Sequence, residues 1–271
     1  MSKEDIGKVS EFPSGQGLEL QNTRLRKNKS SPDSFDFLVA SIENLSAVNE
    51  TVYHIPESGT KVRLIYGDHA KILSKVCTSL SSALEHVRND QETQYLQMLS
   101  EYFRTGSFQS QKEGSFAWVD DASQPVETVM GFMEPYRDSS SIRREWMDLV
   151  AIKIREQSQV LNVLASEVEK FILWIVSPTS NPFPLNQPKS PTGQVLSFCV
   201  WNCWTGITGP NFPDIRAVHG RKNTYFCNRA AAVNLSNEIP FLLPSDLEEY
   251  RKLRGLGFTT IVAIHELIGY G

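Results

Sequence analysis

The last seven residues, His265-Glu266-Leu267-Ile268-Gly269-Tyr270-Gly271, decide how the rest of the sequence is interpreted. A His followed directly by Glu in an apolar helical stretch is typical of a zinc site, where the imidazole binds the metal and the Glu is a general base. In the usual motif a second His follows four residues after the first, on the same helix face. Here Gly269 and Tyr270 follow instead. On these residues alone, the simpler interpretation is a buried histidine near a helix end, bonded to a backbone carbonyl.

Composition narrows the class of protein. The 271 residues are 40% hydrophobic and 21% charged, which predicts a globular chain with one large or two small domains. A net charge of −4 without a long basic run argues against nucleic acid and anionic membranes as partners. No apolar run is long enough to span a bilayer. The cysteines are few and scattered, which predicts buried thiols in a reducing, cytoplasmic protein: Cys77, Cys199, Cys203 and Cys227.

Local patterns predict the secondary structure. The first 34 residues are rich in Ser, Lys, Gly and Asn and are predicted to be loosely ordered. A strand ends at Gly67, and two amphipathic helices follow, capped by Asp68 and Asp90, before a polar turn at 111–114. Long helices are predicted over 142–176, a Pro-rich loop over 177–193, and a buried strand from Val195 to Trp204. A loop is predicted over 206–213, and a final helix begins with a capping box formed by Ser245 and Glu248.

Several segments in fixed order resemble the dipeptidyl peptidase III family of zinc exopeptidases. The four that carry most of the resemblance are Phe103-Arg-Thr-Gly106 through Lys112-Glu-Gly-Ser115; Gly131-Phe-Met-Glu134-Pro-Tyr136-Arg137-Asp138; Gly206-Ile207 through Asp214-Ile215-Arg216; and the final His265-Glu266-Leu267-Ile268-Gly269. The family's zinc motif, His-Glu-x-x-Gly-His, is one residue longer than the usual form, and Gly269 matches its fifth position. The resemblance covers most of residues 20–271 but only a middle portion of the family's longer chains.

The resemblance implies a fold and a set of site residues. The fold is α+β, mainly helical with a small β-sheet or partial barrel, within a two-lobed metallopeptidase. His265 is implied to be the first zinc ligand and Glu266 the general base. Glu134 matches an acid that holds the α-amine of a short peptide, Tyr136 a tyrosine near the scissile carbonyl, and Asn211 one of two amides that help to hold the amine. From the residues alone, Tyr136 is a half-buried strand aromatic and Glu134 a partner of Arg137 or Arg143.

The resemblance also implies how the chain divides. Residues 1–34 form the loosely ordered start and 35–141 a mixed α/β part of the lower lobe. Residues 142–193 form long helices and the Pro-rich loop, 194–242 the strand and substrate loop, and 243–271 the terminal helix with the incomplete zinc motif.

Three departures from the family pattern bear on activity. Tyr270 stands at the second-ligand position, and a phenol is a poor zinc ligand at neutral pH. Thr208 replaces the first substrate-binding Asn, and the Glu-rich segment that supplies the third ligand is not in the sequence. We therefore expect a fragment or degenerate homologue that does not retain zinc and is inactive. We also expect it to self-associate through an exposed terminal helix.

Two alternatives remain open. One is a non-catalytic protein that binds peptides along the edge of the Val195–Trp204 strand. The other is a pseudogene product that never folds.

Overall fold

The computed structural model describes residues 1–44, 51–56, 58–121, 124–139, 142–167, 192–198, 206–227, 239 and 241–265. These residues fall into two compact units. Unit 1 comprises 1–120 and 134–145, and unit 2 comprises 121–133 and 146–271. The predicted segment 35–141 is thus shared by both units. No helix among the described residues is long and apolar enough to cross a membrane.

Unit 1 contains a four-stranded sheet and five helices among its described residues. The sheet order is β1-β2-β4-β3, with β2 and β4 parallel and the other two pairs antiparallel. The strands are β1 Thr23–Lys27, β2 Ser34–Ala40, β3 Thr51–Ile55 and β4 Thr60–Asp68. The helices are α1 Lys3–Gly7, α2 Phe12–Gly15, α3 Ala70–Ala83, α4 Asp90–Thr105 and α5 Phe108–Asp120, with a 3₁₀ turn at Leu84–His86.

The prediction of a loosely ordered start is wrong. Ser2 and Asp5 form a reciprocal capping box that begins α1. Val9 and Phe12 are buried against Phe35 of β2, so this segment covers one face of the sheet. Its polar composition concealed the order because only these few apolar residues are needed to anchor it.

The helices of unit 1 differ from prediction at their starts. His69, in the left-handed region at φ 61°, precedes α3, and Asn89 rather than Asp90 caps α4 by accepting the Glu92 N–H at 2.7 Å. Gly106 ends α4 as predicted, with φ 79°. A Cβ at this position would lie 2.8 Å from Cγ1 of Val39, so the close approach of β2 also requires glycine.

The prediction of a polar turn at 111–114 is wrong, because these residues lie inside α5. Gly114 permits α5 to approach α4: a Cβ there would lie 3.2 Å from Cβ of Met98. Gln111 and Ser115 are buried and hydrogen-bonded to each other along the helix. A polar turn and a polar but buried helix face have the same composition, and only the packing of α4 distinguishes them.

Unit 2 contains a five-stranded sheet of order β5-β6-β7-β9-β8. Only β7 and β9 are parallel. The strands are β5 Val126–Phe132, β6 Trp146–Lys153, β7 Thr192–Phe198, β8 Gly206–Gly209 and β9 Lys222–Phe226. The described helices are α6 Arg155–Ser166, α7 Pro213–His219 and α8 Leu247–Ile264, with a 3₁₀ turn at Pro244–Asp246.

Two predicted elements of unit 2 are wrong. Residues 146–153 form β6 rather than a helix, with Leu149 and Ala151 buried and Val150 and Ile152 exposed, an alternation typical of a strand. Helix α6 follows, and residues 168–176 lie outside the described residues. Gly206–Gly209, predicted as a loop, form β8 because β9 offers a pairing partner.

The strand predicted from Val195 is present as β7, whose described part ends at Phe198. It pairs with β6 on one side and β9 on the other, so it is not a sheet edge. Both sides of β7 are paired at Leu196, which argues against peptide addition at that residue. Residues 199–204 lie outside the described part of the chain.

A buried ion pair shows that this sheet curls. The Lys222 ammonium of β9 lies 3.3 Å from the Glu127 carboxylate of β5, and both side chains are fully buried. Three strand spacings separate β5 from β9, which is about 14 Å on a flat sheet. Side chains that stand on one face meet over this distance only if the sheet bends around them. The α+β class is confirmed, and the curvature agrees with the partial barrel.

The final helix packs through one face. Ala263 lies in a small core with Leu161 and Tyr225, and Phe258 and Val262 pack against it. The predicted capping box is not formed: the Ser245 hydroxyl donates to the Asp246 carboxylate, and no side chain caps α8. On the other face Leu256 and Ile261 remain 69% and 68% exposed.

Candidate functional site

Glu134 is the predicted residue whose surroundings are most informative. Its side chain is half-buried in unit 1, and its backbone carbonyl accepts the Glu145 N–H at 3.1 Å. With the described residues its carboxylate forms neither an ion pair nor a hydrogen bond. A half-buried carboxylate for which the described residues supply no cation is costly, which makes it a ready acceptor for a further cation.

The arginines that were the simpler partners for Glu134 are engaged elsewhere. Arg137 lies 3.5 Å from Glu145, and Arg143 lies 3.4 Å from Asp138. Asp138 also accepts the Ile142 and Arg143 N–H groups, and the Ile142 bond is the main cause of its lowered pKa. Ion pairs and hydrogen bonds among the charged residues therefore stabilise the segment after β5, and the Glu134 carboxylate takes no part in them.

Tyr136 lies two residues further along the same segment. Its side chain is 67% exposed, so it is not the half-buried strand aromatic that composition alone suggested. It follows β5 instead of lying within it. An exposed side chain lies where a ligand can contact it.

Asn211 is fixed on both sides of its amide. Its Nδ2 donates to the Met133 carbonyl at 2.9 Å, and its Oδ1 accepts from Nη2 of Arg216 at 2.6 Å. Nε of Arg216 also donates to the Pro210 carbonyl at 2.9 Å, after a cis Gly209–Pro210 bond. The two contacts set the amide in one orientation and leave one N–H and one lone pair for a further partner.

Arg216 is a residue that the sequence did not single out. It belongs to the short helix α7, which is held down by the buried side chains of Phe212 and Ile215. The sequence does contain a signal for this contact. Arg216 lies one helical turn into α7, and side chains at that position point back toward the residues that precede the helix, which include Asn211.

Thr208, which stands in place of the family's first Asn, is next to another amide. Its hydroxyl donates to Oδ1 of Asn223 at 2.7 Å across β8 and β9. Nδ2 of Asn223 is buried and has no acceptor among the described residues. The amide that position 208 lacks is thus present on the neighbouring strand, although nothing in the local motif indicates it.

His265 directly follows α8. Its backbone N–H continues the helix by bonding the carbonyls of Ile261 and Val262, and its side chain is exposed. Glu266 and Tyr270, the predicted base and the residue at the second-ligand position, lie outside the described residues. Nowhere in the described ranges do three His, Cys, Asp or Glu side chains come together as a metal site. A catalytic zinc site has three protein ligands, and the His265 imidazole can provide one of them.

The predicted residues are divided between the two units. Glu134 and Tyr136 belong to unit 1, whereas Asn211 and His265 belong to unit 2.

Comparisons with known proteins give relatives over the full length of the chain. It is 32% identical over 274 residues to dipeptidyl peptidase 3 of Dictyostelium discoideum, covering 100% of this chain and 38% of that protein. It is 29% identical over 278 residues to human dipeptidyl peptidase 3, covering 99% of this chain and 38% of that protein. The chain therefore spans well under half the length of these relatives.

Solved structures show the same fold. Dipeptidyl-peptidase III from Corallococcus sp. strain EGB matches with a TM-score of 0.60 and 17% identity, over 80% of this chain and 41% of that one. The enzyme from Caldithrix abyssi matches with a TM-score of 0.56 and 18% identity, over 68% of this chain and 36% of that one. The sequence model of peptidase family M49 matches residues 1–271. The chain belongs to peptidase family M49.

Proposed function

We propose that this chain recognises the free N-terminus of short peptides as part of a dipeptidyl peptidase. The observation that carries the proposal is the half-buried Glu134 carboxylate, which the adjacent arginines do not neutralise. An α-ammonium group supplies the missing positive charge and donates up to three hydrogen bonds. An exopeptidase needs such a contact because it must measure a fixed distance from the chain end to the bond that it cuts.

The resemblance gives Asn211 and Tyr136 a part in the same role. Asn211 retains one N–H and one lone pair after its contacts with Met133 and Arg216, so it offers a peptide one further hydrogen bond of each kind. The resemblance implies that Tyr136, whose side chain is exposed, contacts the peptide near the scissile carbonyl.

The catalytic part of the proposal rests on family membership. Zinc, when bound in this family, activates the attacking water. Here His265 would be the first ligand and Glu266 the group that takes the proton of that water. Because Tyr270 replaces the second ligand, we propose that this chain does not retain zinc and is inactive by itself, in the cytoplasm. The lobe assignments of the five segments remain part of the same proposal.

Peptide binding tests the recognition step without requiring turnover. Calorimetry compares one pentapeptide with a free N-terminus and the same peptide N-acetylated. We expect binding of the free form alone, and a loss of about 10- to 100-fold in Glu134→Gln, since hydrogen bonds to charged groups contribute about 1.5–3 kcal/mol. Glu85→Gln, which removes an equal charge from an exposed position, is the matched control. Equal binding of both peptides would refute the proposal.

Turnover distinguishes an enzyme from a non-catalytic peptide binder. We expect no release of dipeptides from a fluorogenic dipeptidyl arylamide, with or without added zinc. Zinc-dependent release that disappears in Glu266→Gln would show that the chain is competent and that the proposed inactivity is wrong. Binding without release would favour the non-catalytic peptide-binding protein.

A further inference from the structure

A polar cleft in unit 2 is separate from every residue assigned above. It has a volume of about 220 Å³ and lies where β6 leads into α6. Six of its seven lining residues are polar or charged: Gln124, Pro125, Lys153, Arg155, Ser158, Gln159 and Asn162. This volume is below the 300–1,000 Å³ that is usual for drug-sized ligands, so it suits a ligand of only a few heavy atoms.

Gln124 is the feature that points to a ligand. The residue is only 3% exposed, and its Nε2 donates to the Glu127 carboxylate at 2.6 Å. A carboxylate only accepts, so this contact settles which end of the amide faces Glu127. The buried Oε1 of Gln124 is therefore left as an acceptor, and no donor among the described residues reaches it. Such an atom is costly unless a ligand donates to it.

The positively charged groups of the cleft require, in addition to this donor, a ligand that carries negative charge. Arg155 forms no ion pair with the described residues, and Lys153 lies close enough to be affected by its charge. Burial lowers the pKa of Lys153, and Arg155 adds to this effect against the opposing carboxylates of Glu127 and Asp121. The carboxylates of Glu127 and Asp121 act on both Lys153 and Lys222, and Glu156 lies in the first turn of α6. The cleft cation that remains for an anion is therefore Arg155, because it has no ion pair in the described part of the chain.

The start of α6 adds to the positive potential. Arg155 is its first residue, and the helix has 12 residues. Ile154 precedes it, and an apolar side chain cannot accept a hydrogen bond from the N–H groups of the first turn. The positive end of the helix dipole thus lies beside the cleft.

We propose that this cleft binds inorganic phosphate, a tetrahedral oxyanion that still carries a protonated oxygen at neutral pH. The anionic oxygens accept from Lys153 and Arg155, and the P–OH group donates to Oε1 of Gln124. Phosphate meets both requirements because every form present at neutral pH keeps at least one P–OH. Sulfate has the same shape but no proton, and would set an acceptor against Oε1.

The comparison of phosphate with sulfate is the test, carried out on the whole chain by calorimetry at pH 7.5. We expect phosphate to bind one per chain, at least tenfold more tightly than sulfate. Gln124→Leu removes the acceptor and should bring the two affinities to within about twofold of each other. Equal affinities for phosphate and sulfate in the unchanged protein would overturn the proposal.

A second variant keeps the test valid if Gln124→Leu fails to fold. Arg155 is exposed, so Arg155→Gln should fold and weaken phosphate binding about tenfold. Arg251→Gln removes the same charge from an exposed position of α8 outside the cleft and should change binding by less than twofold. Similar losses in both variants would show a general charge effect and contradict the assignment.

Two further ligands define the chemistry of the occupant. Glycerol phosphate, a monoester whose second pKa is about 6, is mostly a dianion without a P–OH group at pH 7.5. It should therefore compete at least tenfold more weakly than phosphate, and competition as tight as that of phosphate would overturn the proposal. Glycolate, a carboxylate with a neighbouring hydroxyl, should bind more weakly than phosphate. Tighter binding of glycolate would overturn the choice of phosphate.

Discussion

The buried ion pair between Lys222 and Glu127 gives the sharpest prediction for stability. Both side chains are fully buried, with Nζ and Oε2 3.3 Å apart, and Nε2 of Gln124 donates to the same carboxylate. Lys222→Met keeps most of the apolar stem but removes the ammonium group that lies against the Glu127 carboxylate. Breaking a buried pair in this way costs about 3–5 kcal/mol, because an uncompensated charge remains inside the protein.

That loss is large beside the whole stability of a domain, about 5–15 kcal/mol. With a urea dependence of about 2 kcal/mol/M, the unfolding midpoint of unit 2 should fall by about 2 M. The assay is urea unfolding followed by circular dichroism and tryptophan fluorescence.

A double variant separates lost charge pairing from lost packing. Lys222→Met with Glu127→Gln removes both charges yet keeps an amide oxygen for Gln124, so its stability should return to within about 1 kcal/mol of the unchanged protein. If the single variant loses less than about 1 kcal/mol, or the double variant is no more stable than the single one, the reasoning about an uncompensated charge is refuted.

Three further predictions concern acid stability, metal and association. Lys27, with the Ser2 N–H, lowers the pKa of Asp5 to about 2, so the stability from this carboxylate is present above its unfolded pKa and is lost as pH falls from about 4 through 2. In Lys27→Met the measured free energy of unfolding should fall less steeply over that range, and an unchanged slope would contradict the assignment. Elemental analysis of the purified chain should show no stoichiometric zinc, whereas one zinc per chain that is lost in His265→Ala would show a retained site. Ile261→Lys should lower self-association in sedimentation experiments because this side chain is 68% exposed, while Ala263→Lys, at a buried position, should destabilise the protein instead. A compact monomer in the unchanged protein would argue against association through α8.

Local sequence patterns predicted the amphipathic helices of unit 1 well. The apolar spacing in α3 and α4, the strand before Gly67 and the glycine at the end of α4 each involve residues within one or two turns of one another. Such features depend on backbone propensity and periodicity, which are local properties. The segment from Gly131 to Asp138 likewise carried the resemblance to the family without any knowledge of its contacts.

The errors fall where a distant partner decides the outcome. Residues 146–153 form a strand because β5 and β7 flank them, and Gly206–Gly209 form one because β9 lies beside them. Neither segment has a strong local preference for a strand. Each is stabilised as a strand by backbone hydrogen bonds to residues far along the chain. The order in the first 34 residues has the same origin, since Val9 and Phe12 gain their burial from a later sheet.

By itself the sequence determined the family, the identities of Glu134, Tyr136, Asn211, His265 and Glu266 as candidates, and the departures at Thr208 and Tyr270 that put activity in question. Only the tertiary structure decided which of these side chains have partners. Glu134 remains available because Arg137 and Arg143 bond other carboxylates, and Asn211 is oriented by Arg216. Glu127 and Lys222 are 95 residues apart, and only the curl of the sheet brings their opposite charges together. The physical reason is that charge pairing and burial depend on distance in space, which the order of residues along the chain does not contain.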